Sequence, residues 1–170
     1  MTKKITFITG GQRSGKSSYA QSKALQLSNK PVYVATSAVW DDEHRLRIER
    51  HKADRGSEWT NIEKETALDE LKLENRVVVV DCVTLWATNY FFRESQNIDE
   101  VLKLMKNEFD KFTQQDAHFI FVSNEIGLGG ISGNHLQRRF TDLIGWLNQY
   151  IAAQADEVLF MVSGIPLKIK

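Results

Sequence analysis

The first chemically informative residues form a glycine-rich run near the amino terminus. They are Gly10, Gly11, Gln12, Arg13, Ser14, Gly15, Lys16 and Ser17. The run matches G-x-x-x-x-G-K-[ST], in which backbone N–H groups and the following helix terminus face a phosphate anion. Lys16 would reach the β- and γ-phosphates, and Ser17 would ligate Mg²⁺. A glycine-rich surface turn is the alternative, but a predicted strand precedes this run and a predicted helix follows it.

A second candidate is Asp81, which closes a run of four valines. A carboxylate at the end of a buried strand is typical of a Walker B aspartate, which holds Mg²⁺ directly or through water. A turn or capping aspartate is the alternative. With a phosphate loop in the same chain, we assign Asp81 to the metal together with Ser17.

A third candidate lies in the charged segment 41–55, which is predicted to be helical. Arg47, His51 and Arg55 fall at one-turn spacing and would form one stripe. Such a row of cations is favourable when an anion such as a triphosphate neutralises it. Neighbouring cations also favour a neutral imidazole, which can attack phosphorus. The alternatives are a solvated face with Glu43 and Glu49 as counter-ions, or His44 as the reactive histidine.

The remaining pattern predicts the elements that must position these groups. Predicted strands are Ile5–Thr9, Val32–Thr36, Val77–Val80, Phe119–Val122, Val158–Val162 and the alternating end Leu167–Lys170. Predicted helices are Ser18–Leu27, Asp41 to about Arg55, Thr66–Leu73, one through positions 98, 101, 102, 105, 109 and 112, and one from Leu136 to Ile151.

Strands that alternate with helices predict one α/β domain, residues 1–170, with a mostly parallel sheet and an antiparallel edge strand at its carboxyl end. Ligands of such sheets bind at the carboxyl ends of the strands. We therefore expect Gly10–Ser17, Thr36–Ala38, Asp81 and Ser123–Asn124 to lie near one another.

Composition narrows the class of protein. Lys and Arg together number 22, as do Asp and Glu, so the chain lacks the basic excess of a general nucleic-acid binder. Cys82 is the only cysteine, which excludes an intramolecular disulfide. There is no apolar stretch of membrane-spanning length and no signal-peptide pattern at the amino terminus, so we expect a cytoplasmic protein without a membrane span.

Missing motifs separate the classes of phosphate-loop protein. The guanine-reading N-K-x-D segment of switch GTPases and the signature loop of transporter ATPases do not occur in the sequence. A small-molecule kinase fits both length and class. A plain kinase without a covalent nucleotide intermediate is one alternative, and a regulatory module that couples nucleotide binding to a partner is another.

Taken in order, several segments resemble one family. They are GGQRSGKS, VYVATS, DDEHRLRIERHKADR, VVVVDCVTLWATN, FVSNEIGLG and ADEVLFMVSGIPLKIK. The chain resembles the bifunctional adenosylcobinamide kinase / adenosylcobinamide-phosphate guanylyltransferase family of cobalamin biosynthesis. The resemblance implies a RecA-like phosphate-loop core and a homotrimer. It implies phosphorylation of adenosylcobinamide with ATP or GTP, then transfer of GMP from GTP to adenosylcobinamide phosphate through a GMP-histidine intermediate.

The same resemblance implies roles for individual residues. His51 matches the family's nucleophilic histidine, and Gly10–Ser17 match its phosphate-binding positions. We therefore expect His51 and Lys16 to be the catalytic residues. The remaining nucleotide-binding positions are Thr36, Ser37, Ala38, Lys52, Ala53, Asp54, Arg55, Glu63 and Asp81. Glu63 is the expected guanosine contact, because a carboxylate can accept hydrogen bonds from the guanine N1 and N2 hydrogens.

One segment departs from the family pattern. After Gly127, where the family continues with a Gly-Ile/Val-Val-Pro type of sequence, this chain has the proline-free run Leu128–Gly133. We expect this glycine-rich loop to contact the corrinoid or a neighbouring subunit.

Overall fold

A computed structural model describes residues 1–38, 55–94 and 96–170 of the chain. The strands there are β1 (Lys4–Gly10), β2 (Val32–Ala35), β3 (Thr60–Glu63), β4 (Val77–Asp81), β5 (His118–Asn124), β6 (Glu157–Val162) and β7 (Ile165–Lys168). The helices are α1 (Lys16–Leu27), a short 3-10 helix (Leu68–Glu70), α2 (Val83–Arg93), α3 (Ile98–Phe112) and α4 (His135–Gln154). No helix in these ranges is long and apolar enough to cross a membrane.

The strands of the described ranges form one sheet in the order β3-β2-β4-β5-β1-β6-β7. Every neighbouring pair is parallel except β6 and β7, which are antiparallel. The predicted α/β class and the antiparallel edge are therefore confirmed. Strand β5 separates β1, which leads into the phosphate loop, from β4, which ends at Asp81.

Both faces of the sheet are covered, which explains its uninterrupted apolar strands. Val78 and Val80 of β4 belong to a core cluster that includes residues of α2, α3 and α4. Val77 and Val79 point to the opposite face and pack in a second cluster with Ala20 and Ala24 of α1. A run of four valines, all buried, is what a central parallel strand between two helical layers requires.

One predicted helix is wrong. Thr66–Leu73 forms only the 3-10 turn at Leu68–Glu70, and Ala67 before it has a φ of 57° in the left-handed region. The side chain of Gln115 accepts a hydrogen bond from the Leu73 N–H and donates to the Leu71 carbonyl. These tertiary hydrogen bonds satisfy backbone groups of a segment that does not form a helix.

Two elements were not predicted, and several boundaries differ slightly. Strand β3 is a four-residue edge strand in which half-buried and exposed residues alternate. Helix α2 follows Asp81 almost directly and is rich in aromatic residues. The predicted strand Val32–Thr36 ends at Ala35, the helix predicted from Ser18 begins at Lys16, and the terminal strand spans Ile165–Lys168 instead of Leu167–Lys170.

A buried carboxyl group ties three of these elements together. Glu108 of α3 accepts hydrogen bonds from the Leu68 N–H at 2.6 Å and the Trp86 Nε1–H at 3.2 Å. The Tyr90 hydroxyl donates to its other oxygen. Burial raises the pKa of Glu108, and burial together with this hydrogen bond raises the pKa of Tyr90 to about 12. Glu108 therefore joins the 3-10 turn and α2 to α3.

We expect Glu108→Ala to lower the free energy of unfolding by about 3 kcal/mol or more, because three buried donors lose their acceptor. Glu108→Gln keeps an acceptor oxygen at the same place and should cost about 1 kcal/mol. Urea denaturation of the two variants and the wild type at pH 7 measures the difference. Equal stability of the Ala and Gln variants would show that the hydrogen bonds to Glu108 do not stabilise the fold.

Candidate active site

The phosphate loop joins β1 to α1 and is held by the turn between β6 and β7. Gly15 has a φ of 92°, in the left-handed region, and a Cβ there would lie 3.1 Å from the Cα of Gly164. A Cβ at Gly10 would lie 2.6 Å from the Met161 carbonyl oxygen. The Gly164 N–H donates to the Ser14 carbonyl at 2.9 Å. These contacts explain why glycine is needed at both loop positions.

The Lys16 ammonium lies inside this loop. Its Nζ donates to the Gly11 carbonyl at 2.6 Å and contacts the Ser14 Oγ at 3.4 Å. Burial lowers the pKa of Lys16, while the negative charge of nearby Asp81 acts in the opposite direction. The loop therefore holds a positive charge next to the amino terminus of α1, where a phosphate group would gain most from it.

Asp81 ends β4 and is oriented by a tyrosine of the neighbouring strand. The Tyr33 hydroxyl donates to the Asp81 Oδ2 at 2.6 Å. Burial and the charge of Asp81 raise the pKa of Tyr33 well above its usual value, so the phenol stays protonated and acts as the donor. Tyr33 thereby fixes the carboxylate at the carboxyl edge of the sheet.

Arg55, the first described residue after position 38, also lies at this edge of the sheet. Its Nε donates to the Asn61 Oδ1 at 2.7 Å, and its guanidinium lies 3.8 Å from the centre of the Tyr33 ring. The side chain is buried, and its Nη1 has no hydrogen-bond partner among the described residues. A buried guanidinium nitrogen without an acceptor suits an anionic ligand, because it is costly to bury unpaired.

These groups surround a cavity of about 640 Å³ at the carboxyl edge of the sheet. It is lined by Gln12, Ser17, Tyr33, Ala35, Ser37, Arg55, Asp81, Cys82, Leu85, Asn124, Glu125, Ile126 and Gly129. The volume lies within the range of small-molecule sites. Four segments were expected to meet at this edge, and the cavity is lined by residues of all four: Gln12 and Ser17 of the phosphate loop, Ser37, Asp81 and Asn124.

The donors expected to hold Mg²⁺ lie in this cavity. Ser17 and Asp81 both line it, and they offer a hydroxyl and a carboxylate oxygen, which are hard ligands that Mg²⁺ prefers. The described ranges contain no cluster of three or more His, Cys, Asp or Glu side chains able to hold a metal by themselves. One or two protein ligands, completed by phosphate oxygens and water, are the usual environment of Mg²⁺.

Other predicted residues lie beside the cavity or outside the described ranges. Thr36 is buried and donates from its Oγ1 to the Cys82 carbonyl at 2.7 Å, which ties the end of β2 to the end of β4. Glu63 ends β3, in register with Ala35 of β2. His51, Lys52, Ala53 and Asp54 lie outside the described residues, as do His44 and Arg47. The predicted charged helix therefore remains a prediction.

Three polar residues at this site, Tyr33, Asn61 and Glu125, were not among the predicted site residues. Tyr33 sits in an apolar strand without a motif, and Asn61 belongs to the strand that was not predicted. Glu125 carries no motif of its own. It does follow Ser123–Asn124 directly, which the parallel-sheet rule had already placed at the binding edge.

Comparison with known proteins identifies the family. Residues 6–169 match the sequence profile of the family described as cobinamide kinase / cobinamide phosphate guanyltransferase. The chain belongs to this family. It is 36% identical to the bifunctional adenosylcobalamin biosynthesis protein CobU of Escherichia coli strain K12, covering 98% of this chain and 99% of that protein. It is also 36% identical to the CobP protein of the same description from Pseudomonas aeruginosa, covering 96% and 95% of the two chains.

Solved structures support the fold of this family member. The flagellar accessory protein FlaH from Methanocaldococcus jannaschii superposes with a TM-score of 0.51 at 15% identity, covering 99% of this chain and 79% of that one. An ATPase of the type III secretion system of pathogenic bacteria gives a TM-score of 0.57 at 8% identity, covering 98% and 57%. At such low identity the likeness concerns the fold alone, which is the RecA-like phosphate-loop core.

We expect Arg55→Ala to weaken binding of a non-hydrolysable GTP analogue with Mg²⁺ by about tenfold to a hundredfold, the usual range for a hydrogen bond to a charged group. Isothermal titration calorimetry measures this change. Arg93→Ala is the matched control, since Arg93 is largely exposed on α2 and pairs with Glu94. Unchanged affinity of the Arg55 variant would show that its guanidinium does not bind the nucleotide.

Proposed function

We propose that this protein phosphorylates adenosylcobinamide with ATP or GTP, and then transfers GMP from GTP to the new phosphate. The products of the second step are adenosylcobinamide-GDP and pyrophosphate. The observation that carries the proposal is the cavity at the sheet edge, which is lined by Gln12 and Ser17 of the phosphate loop, by Asp81 and by Arg55. Among the described residues, the Arg55 Nη1 has no hydrogen-bond partner. Membership of the cobinamide kinase / cobinamide phosphate guanyltransferase family supports the choice of substrate.

In the kinase step, the backbone N–H groups of the phosphate loop and the Lys16 ammonium bind the β- and γ-phosphates. Ser17 and Asp81 would hold Mg²⁺, which neutralises charge on the phosphate oxygens when it is bound. The substrate hydroxyl attacks the γ-phosphorus, and the bond to the oxygen bridging the β- and γ-phosphorus atoms breaks. Tyr33 keeps the Asp81 carboxylate in place throughout, through its hydrogen bond of 2.6 Å.

In the transfer step, a neutral His51 imidazole attacks the α-phosphorus of GTP. An N–P bond forms, the bond from this phosphorus to the oxygen bridging to the β-phosphorus breaks, and pyrophosphate leaves. The phosphate of the phosphorylated substrate then displaces the imidazole, which restores free His51. Arg55, four residues after His51, lines the cavity and would stabilise the departing pyrophosphate together with Lys16 and Arg47.

We assign the guanine base to Glu63. This carboxylate ends β3, beside Ala35, which lines the cavity. A carboxylate that accepts from the guanine N1 and N2 hydrogens would favour GTP over ATP in the transfer step. The kinase step does not need this contact, so ATP can serve there.

We also propose that the protein forms a homotrimer and works in the cytoplasm. Large apolar side chains remain on the surface of the described chain, including Phe92 on α2 and Trp146 on α4. Aromatic residues are enriched at protein interfaces, which supports contact with other copies of the chain.

Protein incubated with Mg²⁺ and GTP labelled at the α-phosphate should become labelled at His51. The label should survive denaturation and alkali and be lost in acid, as expected of a phosphoramidate. His51→Ala should remove the label, and His44→Ala, the other histidine of segment 41–55, should keep it.

Two outcomes would contradict the proposed intermediate. Label retained by His51→Ala but lost from His44→Ala would move the nucleophile to His44. No label on a wild-type protein that binds GTP and phosphorylates adenosylcobinamide would favour a plain phosphate-loop kinase.

A further inference from the structure

The proposed kinase step leaves one proton unassigned. An alcohol that attacks phosphorus must lose its hydroxyl proton, and a carboxylate usually accepts it in kinases. Among the described residues, the acidic side chains lining the cavity are Asp81 and Glu125. Asp81 already accepts a hydrogen bond from Tyr33 and is the proposed Mg²⁺ ligand. Glu125 accepts no hydrogen bond from Tyr33 and is not a proposed Mg²⁺ ligand.

The backbone of Glu125 is fixed next to the phosphate loop. Strand β5 pairs with β1 along its whole length, and Asn124 lies in register with Gly10. The Glu125 N–H continues this pairing and donates to the Gly10 carbonyl at 2.9 Å. Glu125 therefore occupies a set position beside the first residue of the loop that would hold the triphosphate.

The Glu125 side chain is also oriented. Its Oε1 accepts a hydrogen bond from the Gly127 N–H at 2.8 Å, and this is the sole hydrogen bond of the carboxylate within the described ranges. The second carboxylate oxygen remains able to take a proton. Ile126 and Gly129 extend the same wall of the cavity.

The loop beyond Glu125 carries exposed apolar side chains. Leu128 is 77% exposed and Ile131 is 92% exposed, and both belong to the glycine-rich run that follows the cavity wall. An acceptor that rests on this loop would lie close to Glu125, whose backbone N–H is bonded to Gly10 of the phosphate loop.

We propose that Glu125 is the general base of the phosphorylation step. The O–H bond of the acceptor breaks and its proton passes to a Glu125 carboxylate oxygen. The alcohol oxygen bonds to the γ-phosphorus, and the electron pair of the breaking P–O bond stays on the nucleoside diphosphate. This assignment rests on the proposed kinase activity and adds to it the residue that activates the acceptor.

The two activities of the enzyme allow a sharp test. Adenosylcobinamide phosphate enters the transfer step with an ionised phosphate, so that step has no hydroxyl proton to remove. Glu125→Gln keeps an oxygen that can accept from the Gly127 N–H, but it removes the basic carboxylate. If Glu125 is the general base, the substitution therefore slows phosphorylation alone. If Glu125 has a structural role, the substitution slows both phosphorylation and GMP transfer.

Both steps are measured separately in the full-length protein, the first with adenosylcobinamide and ATP, the second with adenosylcobinamide phosphate and GTP. We expect Glu125→Gln to lower the kcat of phosphorylation by about a hundredfold or more, with a similar KM. GMP transfer should stay within about twofold of the wild type. Asp142→Asn, which changes an exposed carboxylate of α4, is the control and should leave both rates unchanged.

Other outcomes would overturn the assignment. Phosphorylation at the wild-type rate in Glu125→Gln would exclude a base role, and an equal fall of both rates would show a structural role instead. Failure of the proposed function appears differently, since the wild-type protein itself would then not phosphorylate adenosylcobinamide.

Discussion

The parallel pairing of β1 with β5 is the interaction on which the site depends. It places Gly10 in register with Asn124, and the next N–H along the chain closes the pairing on the Gly10 carbonyl. The phosphate loop and the polar end of β5 are therefore fixed relative to each other by backbone hydrogen bonds. Because β5 also pairs with β4, the same register places Asp81 beside Val122, at the same edge of the sheet.

Apolar residues fill most of each strand, and the polar residues of the site lie at the carboxyl edge of the sheet. Most strand residues up to the carboxyl edge are buried between α1 on one face and the other long helices on the opposite face. Polar side chains appear where the strands end, and two pairs of them are joined by hydrogen bonds. Tyr33 binds Asp81, and Asn61 holds Arg55. Among the described residues that line the cavity, the Arg55 Nη1 has no hydrogen-bond partner and the Glu125 carboxylate accepts one hydrogen bond, so both groups can bind a ligand.

Local patterns predicted the centre of the sheet and the phosphate loop. Val77–Asp81 and Gly10–Ser17 carry their signals within a few residues, so both were found from the sequence. Tertiary contacts decided the rest. Strand β3 forms because its edge pairs with β2, and the helix predicted at Thr66–Leu73 is replaced by a turn that Gln115 and Glu108 stabilise. Glu125 became a candidate only when the cavity showed which carboxylates share it. The assignment of His51 as the nucleophile stays a prediction from the sequence.

The central claim is that one phosphate loop serves both phosphorylation and GMP transfer. The most direct test is Lys16→Ala, assayed for each reaction with its own acceptor, with thermal unfolding as a check that the variant is folded. Both activities should fall by about a hundredfold or more, because Lys16 provides the buried positive charge of the loop. Loss of phosphorylation with GMP transfer intact would contradict the account, since the two reactions would then use separate nucleotide sites.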